Sequence, residues 1–103
     1  MTDDERQIRI IVDYIEEYLP EPGPGWPKKE FERASYSRYA ANRILQLLYE
    51  HPEWSVMRAV EEFRYTMSKY MYKPTNYPEI HGIFQAAYDV ATDLSDILMA
   101  MTP

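Results

Sequence analysis

Residues 55–72 read SVMRAVEEFRYTMSKYMY, and the spacing of their apolar side chains decides the fold class. These side chains follow one another at steps of four and three residues: Val56, Val60, Phe63, Met67 and Tyr70. Such spacing is typical of one face of an α-helix. Further apolar and aromatic side chains lie off this face, which is typical of a helix that is either central in a bundle or half of an interface.

Three other segments show helical spacing of apolar residues, over about 3–19, 34–50 and 79–101. No segment shows the strict alternation of a half-buried strand. A chain of 103 residues fits one domain of ordinary size. We therefore predict an all-α fold, a compact bundle of about four helices that forms a single domain over 1–103.

The starts of the first two helices depend on capping signals. Thr2 and Glu5 have the spacing of a capping box, which favours a start near residue 3. The second helix has two candidate starts. Pro27 suits the first helical position, whereas Ser35 suits a fresh cap, and the apolar pattern favours Ser35.

Residues 20–27 read PEPGPGWP and connect the first two predicted helices. The segment suits a tether between domains, a ligand for a proline-binding groove, or a strap on one fold. The residues before it are too few to form a core alone. In polyproline II conformation it would span ~25 Å, about the length of the first helix. We predict a strap that is able to run along the whole bundle, with Trp26 at least half buried.

Charge is unevenly distributed along a chain whose formal net charge is −6. Residues 1–27 carry seven acidic and two basic side chains, and 28–73 carry six acidic and nine basic ones. Residues 74–103 carry four acidic side chains and no basic one. The acidic start has no signal-peptide pattern, no apolar run is long enough to cross a bilayer, and cysteine is absent. These features predict a soluble, cytoplasmic protein without disulfides.

The residues that carry chemistry do not form a catalytic or metal-binding pattern. His51 and His81 lack the helical spacing to a second ligand that zinc requires. Ser35 and Ser37 have no neighbouring base, and the three glycines match no phosphate-binding loop. We predict a non-enzymatic protein with no cofactor and no bound metal.

Two surfaces are candidates for partner binding. Arg58, Tyr65 and Tyr72 recur every seven residues, and with Lys69 they predict a protein-binding surface on the third helix. The partner is another protein or a second copy of this chain. The alternative is an acidic stripe on the last helix, Asp89, Asp93 and Asp96, that imitates nucleic acid and inhibits a nucleic-acid-acting enzyme.

A third candidate function is nucleic-acid binding by the basic middle of the chain. Its cations interleave with tyrosines: Arg33, Arg38, Arg43, Arg58, Arg64, Lys69 and Lys73. Such mixtures contact phosphates and stack on bases. The sequence pI of about 4.8 and the scatter of these cations around their helices argue against nucleic acid. We expect them to pair with the acidic first and last helices instead.

The stretch FERASYSRYAANRILQLLYEHPEW at 31–54, followed by EEF at 61–63, resembles a group of small helical proteins. These are encoded in phages and integrated elements of Gram-positive gut bacteria. The resemblance covers about 30–72 and includes no catalytic motif. It implies an accessory protein that binds and inhibits a host defence component, and it carries over no functional residues.

Overall fold

The computed structural model describes residues 3–101 and contains four helices. They are α1 (Asp3–Tyr18), α2 (Lys28–Glu50), α3 (Val56–Met71) and α4 (Glu79–Ala100). The described residues form no strand, so the all-α prediction is confirmed. The proposed cap Thr2 lies outside the described residues.

The second helix begins at Lys28 and not near Ser35, so the start that the apolar pattern favours is wrong. Pro27 occupies the capping position, and its carbonyl accepts a hydrogen bond of 2.9 Å from the Phe31 amide. The first turns carry no apolar stripe because they project into solvent, and Phe31 itself is exposed. Proline pre-sets the backbone for a helix start without any apolar pattern.

Contacts between the helices show that consecutive helices are antiparallel. Tyr70 near the end of α3 stacks on Phe84 near the start of α4, with ring centres 5.3 Å apart. The helices α2 and α4 run parallel to each other. Arg33 near the start of α2 lies beside Gly82 near the start of α4, since a Cβ on Gly82 would be 4.0 Å from the Arg33 guanidinium. The starts of α2 and α4 and the end of α3 therefore share one end of the bundle.

The core is built from all four helices and is made mostly of aliphatic and small side chains. The most extensive contact is between α3 and α4, and α2 also packs closely on α4. The helix α1 touches the others least, although it buries Ile11, Tyr14 and Ile15. The predicted seam of α3 is buried from Val56 to Met67, whereas Tyr70 stays exposed.

The proline-rich connection turns back along α2. The Arg38 guanidinium donates a hydrogen bond to the Leu19 carbonyl and pairs with Glu21 at 3.6 Å. Arg38 lies ten residues inside α2, ~15 Å from its start at 1.5 Å per residue, so the connection runs back over that distance. A turn also closes between Gly23 and Trp26, whose backbone hydrogen bond is 3.1 Å long. The segment is therefore not one extended polyproline strap, and α1 and α2 are antiparallel neighbours.

Trp26 lies against the connection itself. A Cβ on Gly23 would be 3.2 Å from the indole Nε1, and the tryptophan side chain is 40% exposed. The ring covers the backbone of its own turn, and its remaining surface faces solvent.

A polar network closes the outer edge between α3 and α4. Buried Ser95 donates a hydrogen bond of 3.0 Å to Glu61, which also pairs with Arg64 at 3.6 Å. Arg64 in turn donates to the Tyr88 hydroxyl at 3.4 Å. The hydrogen bond that Arg64 donates to Tyr88 raises the pKa of Arg64. We call this edge the closed seam.

Candidate protein-interaction groove

The contact between α2 and α3 is open on one side and forms a groove of about 620 Å³ beside α4. Its walls come from three helices: Ser35, Tyr36 and Tyr39 of α2, Thr66, Met67 and Tyr70 of α3, and Phe84 of α4. Met67 is buried there, whereas the tyrosines keep exposed faces. We call this surface the aromatic groove.

Ring contacts hold the walls of the aromatic groove in place. Tyr36 and Tyr39 meet edge to face with centres 6.1 Å apart, and Tyr39 lies 6.4 Å from Phe63 in the core. On the opposite wall, Tyr70 stacks on Phe84. The rings are therefore held in place by contacts with one another and with the core.

The aromatic groove exposes much more ring surface than a core position would. Tyr39 is 50% exposed and Tyr70 is 42% exposed. Tyrosine offers an apolar face and a polar hydroxyl, so the groove suits aromatic and aliphatic side chains that carry polar groups beside them. Its lining residues carry aromatic rings, a thioether and hydroxyl groups.

The residues predicted for partner binding on α3 lie on its outer face. Arg58, Tyr65, Lys69 and Tyr72 are all exposed, so the two rings are not core. Lys69 Nζ lies over the Tyr65 ring, 4.3 Å from its centre. Arg58 instead contacts the Trp54 ring at 4.9 Å. The structure thus joins Tyr65 and Lys69, while Arg58 is engaged by a different aromatic residue.

The acidic stripe on α4 is exposed but partly engaged. The Asp89 carboxylate accepts a hydrogen bond of 2.7 Å from Gln85, and Asp93 accepts one of 3.1 Å from the Tyr14 hydroxyl. Burial and then the Asp93 charge raise the pKa of Tyr14 to about 12. Asp93 therefore helps to hold α1 on α4. Asp96 lies beside it on the wall of a shallow pocket with Tyr14.

The cations of the middle segment do not form ion pairs with α1 or α4 in the described part of the chain, which contradicts the expected pairing. Arg43 pairs with Glu50 at 3.1 Å, within α2, and Arg58 pairs with Glu62 at 3.9 Å, within α3. Arg38 reaches Glu21 in the connection. The basic middle thus neutralises itself in part, and some of its cations stay unpaired.

The aromatic groove was not predicted from sequence. Its four rings, of which Tyr36, Tyr39 and Tyr70 are exposed, come from three helices, and no linear motif joins residues 36–39, 70 and 84. The one available signal was the presence of Tyr36 and Tyr39 at the edge of the apolar stripe of the second helix. Such tyrosines on a helix surface are a sign of a contact surface.

The histidines have local structural contacts. The His51 ring stacks on Trp54 with centres 3.8 Å apart. His81 Nε2 is 2.8 Å from the Lys73 carbonyl oxygen. Over residues 3–101, no group of three or more potential metal ligands is gathered. Within the same range, no helix is both long and apolar enough to cross a bilayer.

No family model matches this chain, and neither the curated proteins nor the solved structures gave a significant match. The function must therefore be inferred from the geometry of the chain itself.

Proposed function

We propose that this chain is a non-enzymatic helical interaction module that binds a protein partner through the aromatic groove. The observation that carries the proposal is a set of pre-positioned tyrosines that remain about half exposed on a folded bundle. Aromatic residues and methionine are enriched in protein interfaces, and tyrosine is common among the residues that dominate binding energy.

The outer face of α3 extends this surface. Tyr65 and Lys69 lie on the same helix as Tyr70, and Lys73 Nζ is 5.9 Å from the centre of the Tyr70 ring. A partner that fills the aromatic groove would contact this face at its rim. In this proposal the chain acts as an accessory protein of a phage or mobile element, the role that the resemblance implies.

The proposal is tested by affinity capture from a lysate of the source organism, quantified by mass spectrometry. The test variant combines Tyr39→Ala with Tyr70→Ala, which empties both walls of the groove. The matched control combines Tyr49→Ala with Tyr77→Ala, two tyrosines that are exposed and lie outside the groove. We expect proteins that the wild type and the control retain and that the groove variant loses.

Thermal unfolding of each variant separates lost binding from lost folding. If the folded groove variant retains every protein that the wild type retains, the groove is not the binding surface. Tyr65→Ala with Tyr72→Ala, measured alongside, tests the outer face of α3. Loss of capture in that variant alone would assign binding to the outer face.

A further inference from the structure

Unpaired cations gather at the end of the bundle where α2 and α4 begin. Arg9, Arg43, Arg58 and Arg64 each form an ion pair with a carboxylate. In contrast, four cations form no ion pair within the described residues and belong to the shared end: Lys29, Arg33, Lys69 and Lys73. Lys28 lies beside them and forms a long ion pair of 3.9 Å with Glu32, and both side chains are exposed. We call these five cations the basic end.

The basic end adjoins the aromatic groove. A pocket of about 520 Å³ lies between the starts of α2 and α4, and Lys28, Lys29 and Arg33 line it together with Glu32 and Glu79. Along α2, Arg33 of this pocket and Tyr36 of the groove are three residues apart, which is the spacing of neighbours on one helix face. Along α4 the pocket reaches Ile83 and the groove includes Phe84.

Cations also flank the other wall. Lys73 Nζ lies near the face of Tyr70, so a positive charge stands directly beside a ring of the groove. The partial positive charges at the starts of α2 and α4 add to the same field. The described chain therefore places apolar rings and positive charges close together at one end of the bundle.

We propose that the aromatic groove accepts an acidic segment of a partner protein, with aromatic or aliphatic side chains between its Asp and Glu residues. This inference rests on the proposed function and specifies the chemistry of the partner. Apolar side chains would fill the space between the tyrosines, and carboxylates would meet Lys29, Arg33 and Lys73. A peptide fits better than nucleic acid, because a chain with a net charge of −6 repels a long polyanion.

A library of random 12-residue peptides displayed on phage supplies the probe. The library is selected on the immobilised full chain, and binding of the enriched peptides is measured by fluorescence anisotropy. We expect enriched peptides with Asp or Glu next to Trp, Phe, Tyr or Leu. Their affinity should fall as salt rises, because exposed charge pairs are screened.

Charge reversal then tests the basic end. Lys29→Glu with Lys73→Glu should weaken binding about tenfold or more. The matched control, Arg6→Glu with Arg9→Glu, makes the same change in net charge on exposed residues of α1, at the far end of the bundle. That control should change the affinity less than about twofold.

The outcomes that overturn this inference are distinct from those that overturn the proposed function. Enriched peptides without acidic residues, or peptides insensitive to the Lys29→Glu and Lys73→Glu changes, reject the acidic partner. The proposed function survives that result if Tyr39→Ala with Tyr70→Ala still abolishes peptide binding. If binding depends on neither pair of residues, both proposals fail. If no peptide is enriched, the acidic-segment inference fails, and the affinity capture decides the proposed function.

Two other occupants of the aromatic groove, nucleic acid and a second copy of this chain, are tested by separate measurements. A labelled twelve-nucleotide oligothymidine that binds more tightly than the peptides, through the same lysines, would show a nucleic-acid site and overturn the inference. Light scattering during size exclusion would reveal a dimer. If Lys29→Glu with Lys73→Glu dissolves that dimer, the occupant is a second copy, and the inference falls.

Discussion

The two edges of α3 differ in how they are closed. Towards α4, Ser95, Glu61, Arg64 and Tyr88 form a polar network over the closed seam. Towards α2, the aromatic groove leaves rings half exposed and open to solvent. Both edges belong to one helix, so the difference arises from the side chains that the neighbouring helix presents.

The comparison separates an edge whose side chains are engaged with one another from an edge whose rings remain exposed to solvent. A satisfied polar network rigidifies the contact it covers. Exposed rings contribute less to folding, because they bury less surface when the chain folds. Substitutions on the two edges should therefore separate effects on the free energy of unfolding from effects on binding.

The largest expected effect is on the buried side of α4. Leu94 is fully buried, and Leu94→Ala removes its contacts and leaves a cavity in the core. We expect a loss of about 2–5 kcal/mol in the free energy of unfolding, measured by urea denaturation. A loss below about 1 kcal/mol would mean that this part of the bundle is loosely packed.

The contact between α1 and α4 should weaken at high pH. Burial and the neighbouring Asp93 raise the pKa of Tyr14 from 10.0 to about 12, so folding favours the protonated phenol. The protonated phenol contributes fully to the free energy of unfolding below about pH 10, and this contribution is lost as the pH rises towards about 12. The hydroxyl borders solvent, so we expect this loss to stay below about 2 kcal/mol.

Tyr14→Phe isolates this effect from other groups that titrate in the same range. Urea denaturation of both proteins at about pH 8 should show the variant less stable by about 1 kcal/mol, because a hydrogen bond is missing. At about pH 11.5 the difference should shrink or change sign. A constant difference across this range would show that the Tyr14 hydroxyl titrates with its ordinary pKa in the folded chain.

The buried hydroxyl of Thr92 on α4 should destabilise the fold slightly. Its Oγ1 is buried and has no hydrogen-bond partner within the described chain. Thr92→Val keeps the shape and removes the desolvated hydroxyl, so we expect a gain of about 1 kcal/mol in urea denaturation. The control is Thr66→Val, whose exposed hydroxyl already donates to the Glu62 carbonyl. A Thr92→Val variant that is less stable than the wild type would show that the hydroxyl has a partner.

The smallest expected effect on stability is on the open edge. Tyr39→Ala removes a ring that is half exposed, meets Tyr36 edge to face and lies tilted against Phe63. We expect a loss of about 1 kcal/mol, measured in the same urea series as Leu94→Ala. If Tyr39→Ala lowered the free energy of unfolding as much as Leu94→Ala does, the open edge would contribute as much to stability as the buried side of α4.

The sequence predicted the helical class well because apolar periodicity reports directly on burial. The α3 positions Val56, Val60, Phe63 and Met67 are buried as their spacing indicates. The same signal failed at the start of α2, where Pro27 and solvent-facing turns form a helix without an apolar stripe. Apolar periodicity gives no information about a helix start that local backbone preference determines.

The candidate site was harder to predict because it depends on how helices are aligned with one another. The spacing of Tyr65 and Tyr72 correctly places them off the buried face of α3. It gives no information about Tyr36, which lines the aromatic groove from α2. The ion pairs were also misjudged, since Arg43 finds a carboxylate seven residues along its own helix. Sequence distance alone does not reveal which partner is nearest in space.

The limited packing of α1 has a consequence for how the bundle opens. This helix touches the other three least and is joined to them through a turn-rich connection. Regions with few buried contacts open locally at a lower free energy than the whole fold. We therefore expect amide hydrogens of α1 to exchange with solvent sooner than those of α3 and α4. The bundle would then behave as a three-helix unit with a first helix that detaches and reattaches as a separate cooperative segment.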